Sequence, residues 1–332
     1  MKRQTYSFDD VLLVPQYSDI ESRSEIDLTR QLGSKKYSIP IITSPMDTVT
    51  GLEMATTFGE LGGLAVTHRY CDVVEQSKMT PAQSAAAVGV TGDFMERIDF
   101  LNKDAGIITF CLDVAHGHHV LVERALKSIR DKYGSGLNII AGNVATPKAY
   151  LALSEWGADA VRIGIGGGSI CSTRVQTGHG VPTFESVLTC SYEDGATIIA
   201  DGGIKTAGDV VKALSAGADF VMLGSMLAGT VQSPGQLFQG NDGNKYKVYR
   251  GMASVEAQTD WRGEARSLEG ISTTIPHKGC VKDVVGNLLQ NVRSGLSYSG
   301  ARNITQLQAK AEFIVQSTAS QIESSTHIMR TK

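Results

Sequence analysis

Residues 206–224, TAGDVVKALSAGADFVMLG, hold a helix, its stop and the strand that follows. Val210, Val211 and Leu214 recur at helical spacing opposite Asp209 and Lys212, so one face of the helix is apolar and the other polar. Gly217 stands where a helix ends in left-handed backbone, and Phe220 to Leu223 is an apolar run of strand length. The segment SEWGADAVRIG repeats the arrangement, with Gly157 as its stop.

Short apolar or β-branched runs of this kind recur along the chain. They are Ile39 to Thr43, Leu64 to Thr67, Ala86 to Val90, Ile107 to Leu112, Asn138 to Ala141, Ala160 to Ile165, Thr197 to Ala200 and Phe220 to Leu223. Helix-like segments separate most of them, among them Gly51 to Glu60, Gly92 to Asn102, Val120 to Tyr133 and Thr206 to Ala216. Strands alternating with helices pair in parallel. Eight such strands, read as apolar on both faces, predict an α/β fold of the closed (β/α)₈ barrel type (a TIM barrel) rather than an open doubly wound sheet. An open sheet carries its glycine-rich turn after the first strand, whereas the glycines here come late. The opening FDDVLLVPQYSDIESRSEIDL reads as an irregular lead-in covering part of the core. With no linker or low-complexity stretch, residues 1–332 are expected to form a single domain.

Bulk properties exclude several classes. The 332 residues are 42% hydrophobic and 20% charged, enough apolar surface for one large core. A net charge of −3 gives no basic field for nucleic acid or a membrane surface. Five scattered cysteines without a CxxC pair argue against a disulfide framework or zinc site and for a reducing compartment, so a cytoplasmic protein is expected. No stretch approaches the length of a membrane span.

Chemistry in such a barrel collects at the C-terminal strand ends. The sixth expected strand runs into AVRIGIGGGSICSTRVQTGHGVP, residues 160–182. Gly166, Gly167 and Gly168 let backbone fold closely around a small ligand, and Cys171 follows among Ser169, Ser172, Thr173 and Arg174. A plain surface loop with an incidental cysteine is the competing reading of these residues. After the seventh and eighth expected strands come Asp201-Gly202-Gly203 and Gly224-Ser225, the customary phosphate position of this fold. Glycine amides and the Ser225 hydroxyl suit phosphate oxygens, and Asp201 suits ribose hydroxyls. Taken singly, each glycine pair is equally a tight turn. His116, His118 and His119 invite a zinc reading, but no acidic or cysteine partner lies at ligand spacing.

The segments FDDVLLVP, SPMDTVTG, VGVTGDF, LDVAHGH, AGNVATP, GIGGGSICSTR, ADGGIKTAGDV, GADFVMLGSMLAG, YRGM, IPHKG and VRSGLSYSGA resemble the IMP dehydrogenase/GMP reductase family over essentially the full length. The resemblance implies a usually tetrameric barrel that binds a purine mononucleotide, GMP or IMP, beside a nicotinamide cofactor. It makes Cys171 a nucleophile that attacks purine C2 to form a covalent adduct, with Thr173 as the catalytic threonine. The dehydrogenase removes a hydride from IMP and hydrolyses the adduct to XMP. The reductase expels ammonia from GMP and adds a hydride from NADPH to give IMP.

The flap, about residues 229–279, decides between them. Its portion Met252 to Glu269 lacks the Arg-Tyr pair with which dehydrogenases activate water, and no regulatory CBS pair is inserted. It ends in Arg266-Ser267-Leu268-Glu269-Gly270, as in reductases, where the arginine contacts nucleotide and the glutamate partners the threonine. A GMP reductase is therefore expected, with a CBS-less IMP dehydrogenase using NAD as the alternative. SPMDTVT, YRGM and the tail QSTASQIESSTH resemble dehydrogenase segments. A nucleotide-binding protein without turnover is the reading from another class.

The resemblance further implies Ser169, Gly203, Gly224, Ser225 and Tyr249 at the phosphate, Asp201 at the ribose, and Ser44, Met46 and Gly202 among the substrate-binding residues. Gly251, Met252, Arg266 and Gly270 would frame the base. Asp113 falls on the cofactor side, and His68 and Arg69 stand where reductases place a lysine near the NADPH 2′-phosphate. A monovalent cation such as K⁺ is implied at Gly166, Gly168 and Cys171. Gly167 replaces the proline of the family's GPGS, a change expected to loosen the loop entropically.

Overall fold

A computed structural model describes residues 4–265 and 269–324. Its centre is an eight-stranded parallel sheet: β1 Ile41–Thr43, β2 Val66–Thr67, β3 Ala85–Val88, β4 Thr109–Asp113, β5 Asn138–Val144, β6 Ala160–Ile163, β7 Thr197–Asp201 and β8 Phe220–Leu223. From β2 to β8 each strand pairs with its sequence neighbour, and β8 returns to β1 through Val221↔Ile41, Met222↔Ile42 and Leu223↔Thr43. The bridge Ile42↔Leu64 joins β1 to the β2 segment and closes the ring. This is the TIM barrel expected from the strand count, in one domain.

The helices α1 Leu52–Glu60, α2 Val73–Met79, α3 Phe94–Ala105, α4 Val120–Tyr133, α5 Pro147–Glu155, α6 Thr183–Cys190, α7 Ala207–Ser215 and α8 Val281–Tyr298 follow the strands in turn. Their boundaries follow local chemistry. Thr206 accepts from the Asp209 amide in a capping box that starts α7, and Gly217, at φ 110°, turns the chain into β8.

Period-two alternation sorts the strand residues into two cores. Ile42, Val66, Ala85, Ala87, Cys111, Ile140, Ala160, Ile199, Phe220 and Met222 pack together inside the barrel. Their neighbours, such as Ile41, Ala86, Phe110, Val161, Ala200 and Val221, pack outward against the helices. The hairpin Arg30–Leu32/Lys35–Tyr37, which follows the lead-in, adds Leu32 and Tyr37 to the inner cluster and so plugs the barrel. The lead-in is more ordered than expected: Val11–Leu13 pairs antiparallel with Phe313–Val315, and Phe8, Ile26 and Leu28 are buried.

Between β8 and α8 lies the flap, a three-stranded sheet of Phe238–Gln239, Lys245–Arg250 and Ser272–Pro276, with the helix Val255–Arg262 between its last two strands. No helix among the described residues is long and apolar enough to cross a membrane.

Candidate active site

A cavity of about 600 Å³ opens over the C-terminal ends of the strands, roofed by the flap. The glycines that end β6 and β7 make its floor. Gly202 and Gly203 adopt φ of 93° and 79°, and a Cβ on Gly202 would lie 3.1 Å from the Gly168 nitrogen, so the two glycine runs touch. At the β8 end, a Cβ on Gly224 would sit 3.2 Å from the Tyr249 hydroxyl, 3.3 Å from Ser44 Oγ and 3.5 Å from Met46 Sδ. Burial pushes the Tyr249 phenol up against the opposing pull of hydrogen bonds with Ser169 and Ser225, which keeps a proton on it to donate. Ser44, Met46, Ser169, Gly203, Gly224, Ser225 and Tyr249 all line this cavity.

Of the five cysteines, Cys171 is the exposed one. Burial pushes the thiols of Cys111 and Cys190 up to about 12 and that of Cys71 to about 11, so none of these is poised to ionise. Cys171 Sγ lies 3.2 Å from Thr173 Oγ1, which donates a 2.8 Å hydrogen bond to Glu269 Oε2. The flap supplies that carboxylate by pairing with the loop: Cys171 bridges Gly270, Ser172 N donates to Glu269 O at 2.9 Å, and Ile271 N to Ile170 O at 3.1 Å. Gly251 N in turn donates to Ile271 O at 3.0 Å, which sets Gly251 and Met252 beside the loop. Arg266 lies outside the described residues.

Beneath the cavity sits a group the sequence reading passed over. Arg162, on the inward face of β6 and 6% exposed, places Nη1 2.6 Å from Asp113 Oδ1 and Nη2 2.8 Å from Asp201 Oδ2. Asn143 Nδ2 donates to the same Asp201 oxygen at 2.8 Å. Burial works against the guanidinium charge, but Asp201 and then Asp113 outweigh it, and Arg162 is held well above its ordinary range. The two carboxylates are fixed at the ends of β7 and β4 and both line the cavity. A lone arginine inside the run AVRIGIG was the available signal.

Arg69 lines the cavity next to Asp113, its guanidinium 4.8 Å above the Tyr70 ring and its buried Nε without a hydrogen-bond partner. Tyr70 packs on Trp261 of the flap helix at 4.9 Å, and both rings line the same end. An arginine with an unmet donor beside two aromatic faces suits a cofactor with an aromatic ring and anionic groups. His68 is not among the lining residues: it is buried, its ring accepting from Tyr70 N, and burial lowers its pKa despite the opposing pull of Asp47 and Glu75. Arg250 fastens the flap by reaching Asp47 at 2.6 Å.

The cysteine loop carries a second unexpected contact. A Cβ on Gly167 would lie 2.5 Å from Thr183 Oγ1, so glycine is needed there to admit the buried threonine hydroxyl. The Gly168 carbonyl accepts from Cys171 N at 3.1 Å, so a cation bound to that carbonyl shares it with a hydrogen bond inside the loop. The described residues contain no cluster of three or more His, Cys, Asp or Glu side chains able to hold a metal.

A family model described as IMP dehydrogenase / GMP reductase domain matches residues 5–327. Inosine-5′-monophosphate dehydrogenase of Bacillus subtilis (strain 168) is 46% identical over 73% of this chain and 51% of its own, so the chain spans about half of that relative. GMP reductase 2 of Homo sapiens is 38% identical over 92% of this chain and 93% of that one. The crystal structure of a cysteine-to-alanine GMP reductase from Trypanosoma brucei, in complex with guanosine 5′-monophosphate, aligns with a TM-score of 0.92 at 28% identity over 98% of both chains.

Proposed function

The chain belongs to the IMP dehydrogenase/GMP reductase family of oxidoreductases, and from that premise we propose that it is a GMP reductase, converting GMP and NADPH to IMP, ammonia and NADP⁺. The observation that carries the reading is the unbroken chain from Cys171 Sγ through Thr173 Oγ1 to Glu269 Oε2, reached from a cavity of mononucleotide size. The Trypanosoma relative's complex with GMP supports a purine mononucleotide as ligand.

The chemistry follows from that chain of atoms. The Cys171 proton passes through Thr173 to Glu269, leaving a thiolate and a neutral carboxyl group. The thiolate electron pair forms the bond to purine C2, and the C2–N3 π pair moves onto N3. Glu269, through Thr173, returns the proton to the 2-amino group, because ammonia leaves far more readily than amide ion. As ammonia departs, the C2–N3 double bond re-forms and the purine is held as a thioimidate on Cys171. NADPH, when bound, would supply the hydride for C2; breaking of the C2–S bond would then release IMP, and the Cys171 thiolate takes a proton from solvent. Asp113, Arg69, Tyr70 and Trp261 would hold the cofactor against that face, and Asp201 the ribose of the nucleotide.

Met252 to Glu269 contains no Arg-Tyr pair to activate water for the hydrolytic reaction. The second reading, an IMP dehydrogenase using NAD, is favoured by the 46% identity of the Bacillus enzyme. Purified protein separates the two by absorbance at the nicotinamide band. A fall with GMP and NADPH is the expected result; a rise with IMP and NAD⁺ would replace it with the dehydrogenase, and silence in both would refute turnover of either kind.

A further inference from the structure

Past β8 the chain makes one helical turn, with Leu227 N and Ala228 N both donating to Gly224 O at 3.0 and 2.9 Å. Such a turn leaves amides unused at its start and carbonyls unused at its end. The start is the Gly224-Ser225 end of the cavity. The carbonyls of Ser225 and Met226 are met by one side chain, Lys278, whose Nζ donates to both, at 3.3 Å for Met226.

Lys278 lies where the flap's last strand leaves for α8, and the backbone there is stitched to the same turn. Lys278 N and His277 Nδ1 each lie 2.9 Å from Gly229 O, and Val231 N donates to Gly279 O at 2.8 Å. A Cβ on Gly229 would lie 2.5 Å from Pro276 O, so turn and flap are packed backbone to backbone. Among the described residues Lys278 has no carboxylate partner, and burial alone pushes its ammonium down to about 8.

We propose that Lys278 is a positioning residue for the 5′-phosphate: by capping the Ser225 and Met226 carbonyls it fixes the amide end of the turn towards the phosphate and ties that turn to the flap. The inference rests on the reading that the cavity takes a purine 5′-mononucleotide. Lys278 does not line the cavity, so its effect reaches the ligand through Ser225.

The test compares IMP with inosine, which lacks the phosphate, by equilibrium dialysis on wild type, K278M, K278Q and K278R, each first checked for a cooperative melt. The expected result is a loss of about 10-fold in IMP affinity for K278M and K278Q, inosine binding unchanged, and K278R within about 3-fold of wild type, since a guanidinium can also cap two carbonyls. If K278M does not fold, K278Q decides. Equal losses for IMP and inosine would mean a merely structural lysine and overturn the proposal, as would undiminished IMP binding. Wild-type protein that binds neither IMP nor GMP would instead remove the mononucleotide reading beneath it.

Discussion

Replacing Arg162 by methionine removes one guanidinium that serves two carboxylates. Its side chain is 8% exposed, and the partners Asp113 and Asp201 are 16% and 14% exposed, so all three are largely shielded from water. Breaking a fully buried pair costs about 3–5 kcal/mol through the charge left behind. Here two charges are left, but each keeps some solvent and Asp201 keeps its 2.8 Å bond from Asn143. The expected loss at neutral pH is therefore about 3 kcal/mol, at the lower end of that range. Urea titrations of wild type and R162M at about pH 7.5 read this directly, and R162M/D113N should recover part of the loss because one of the two stranded charges is gone. No recovery in R162M/D113N would refute the electrostatic account and leave simple packing.

Four further expectations follow from the same geometry. G167A should destabilise the cysteine loop and lower turnover, because its Cβ meets Thr183 Oγ1 at 2.5 Å; T183A in the same chain should restore activity, and a double-mutant cycle without coupling would contradict the contact. Y249F should weaken GMP binding by about 1 kcal/mol, read by calorimetry, with no loss if the phenol only packs. E269Q should lower kcat far more than it raises the GMP KM, because the relay loses its proton carrier; an equal effect on both would place Glu269 in binding alone. His68 is held below its ordinary value of 6.5 by burial, so the unfolded chain takes the proton first as pH falls. Stability from neutral His68 is present above about 6.5 and is lost below it, and H68Q should flatten the urea midpoint between about pH 7.5 and 5.5.

The barrel was legible because most strands are short apolar runs and most helices run into a glycine, among them Gly106, Gly134, Gly157 and Gly217, signals that survive without tertiary context. Strand ends were less so: β6 stops at Ile163 because Gly164, at φ 148°, packs against the Asp201 carbonyl, a contact no local pattern contains. The inner and outer cores could not be told apart in runs such as Ala85–Val88, where both faces carry small apolar residues. For the same reason the inward Arg162 went unnoticed in a strand read as apolar on both faces. The cysteine, threonine and glutamate were found through a motif, yet their contact depends on the flap pairing with the loop across almost a hundred residues (|i−j| = 96). The Gly167 change, read as a loosening of the loop, is in the folded chain the room that Thr183 occupies. His68 and Arg69 were paired on sequence alone; the fold sends Arg69 into the cavity and His68 beneath it.

The central claim is a covalent bond between Cys171 and purine C2. Protein mixed with GMP, quenched in acid and digested should show, by mass spectrometry, the Cys171 peptide heavier by the nucleotide less ammonia, with C171A showing no adduct. Steady turnover of GMP by C171A, or an adduct on any residue other than Cys171, would contradict it.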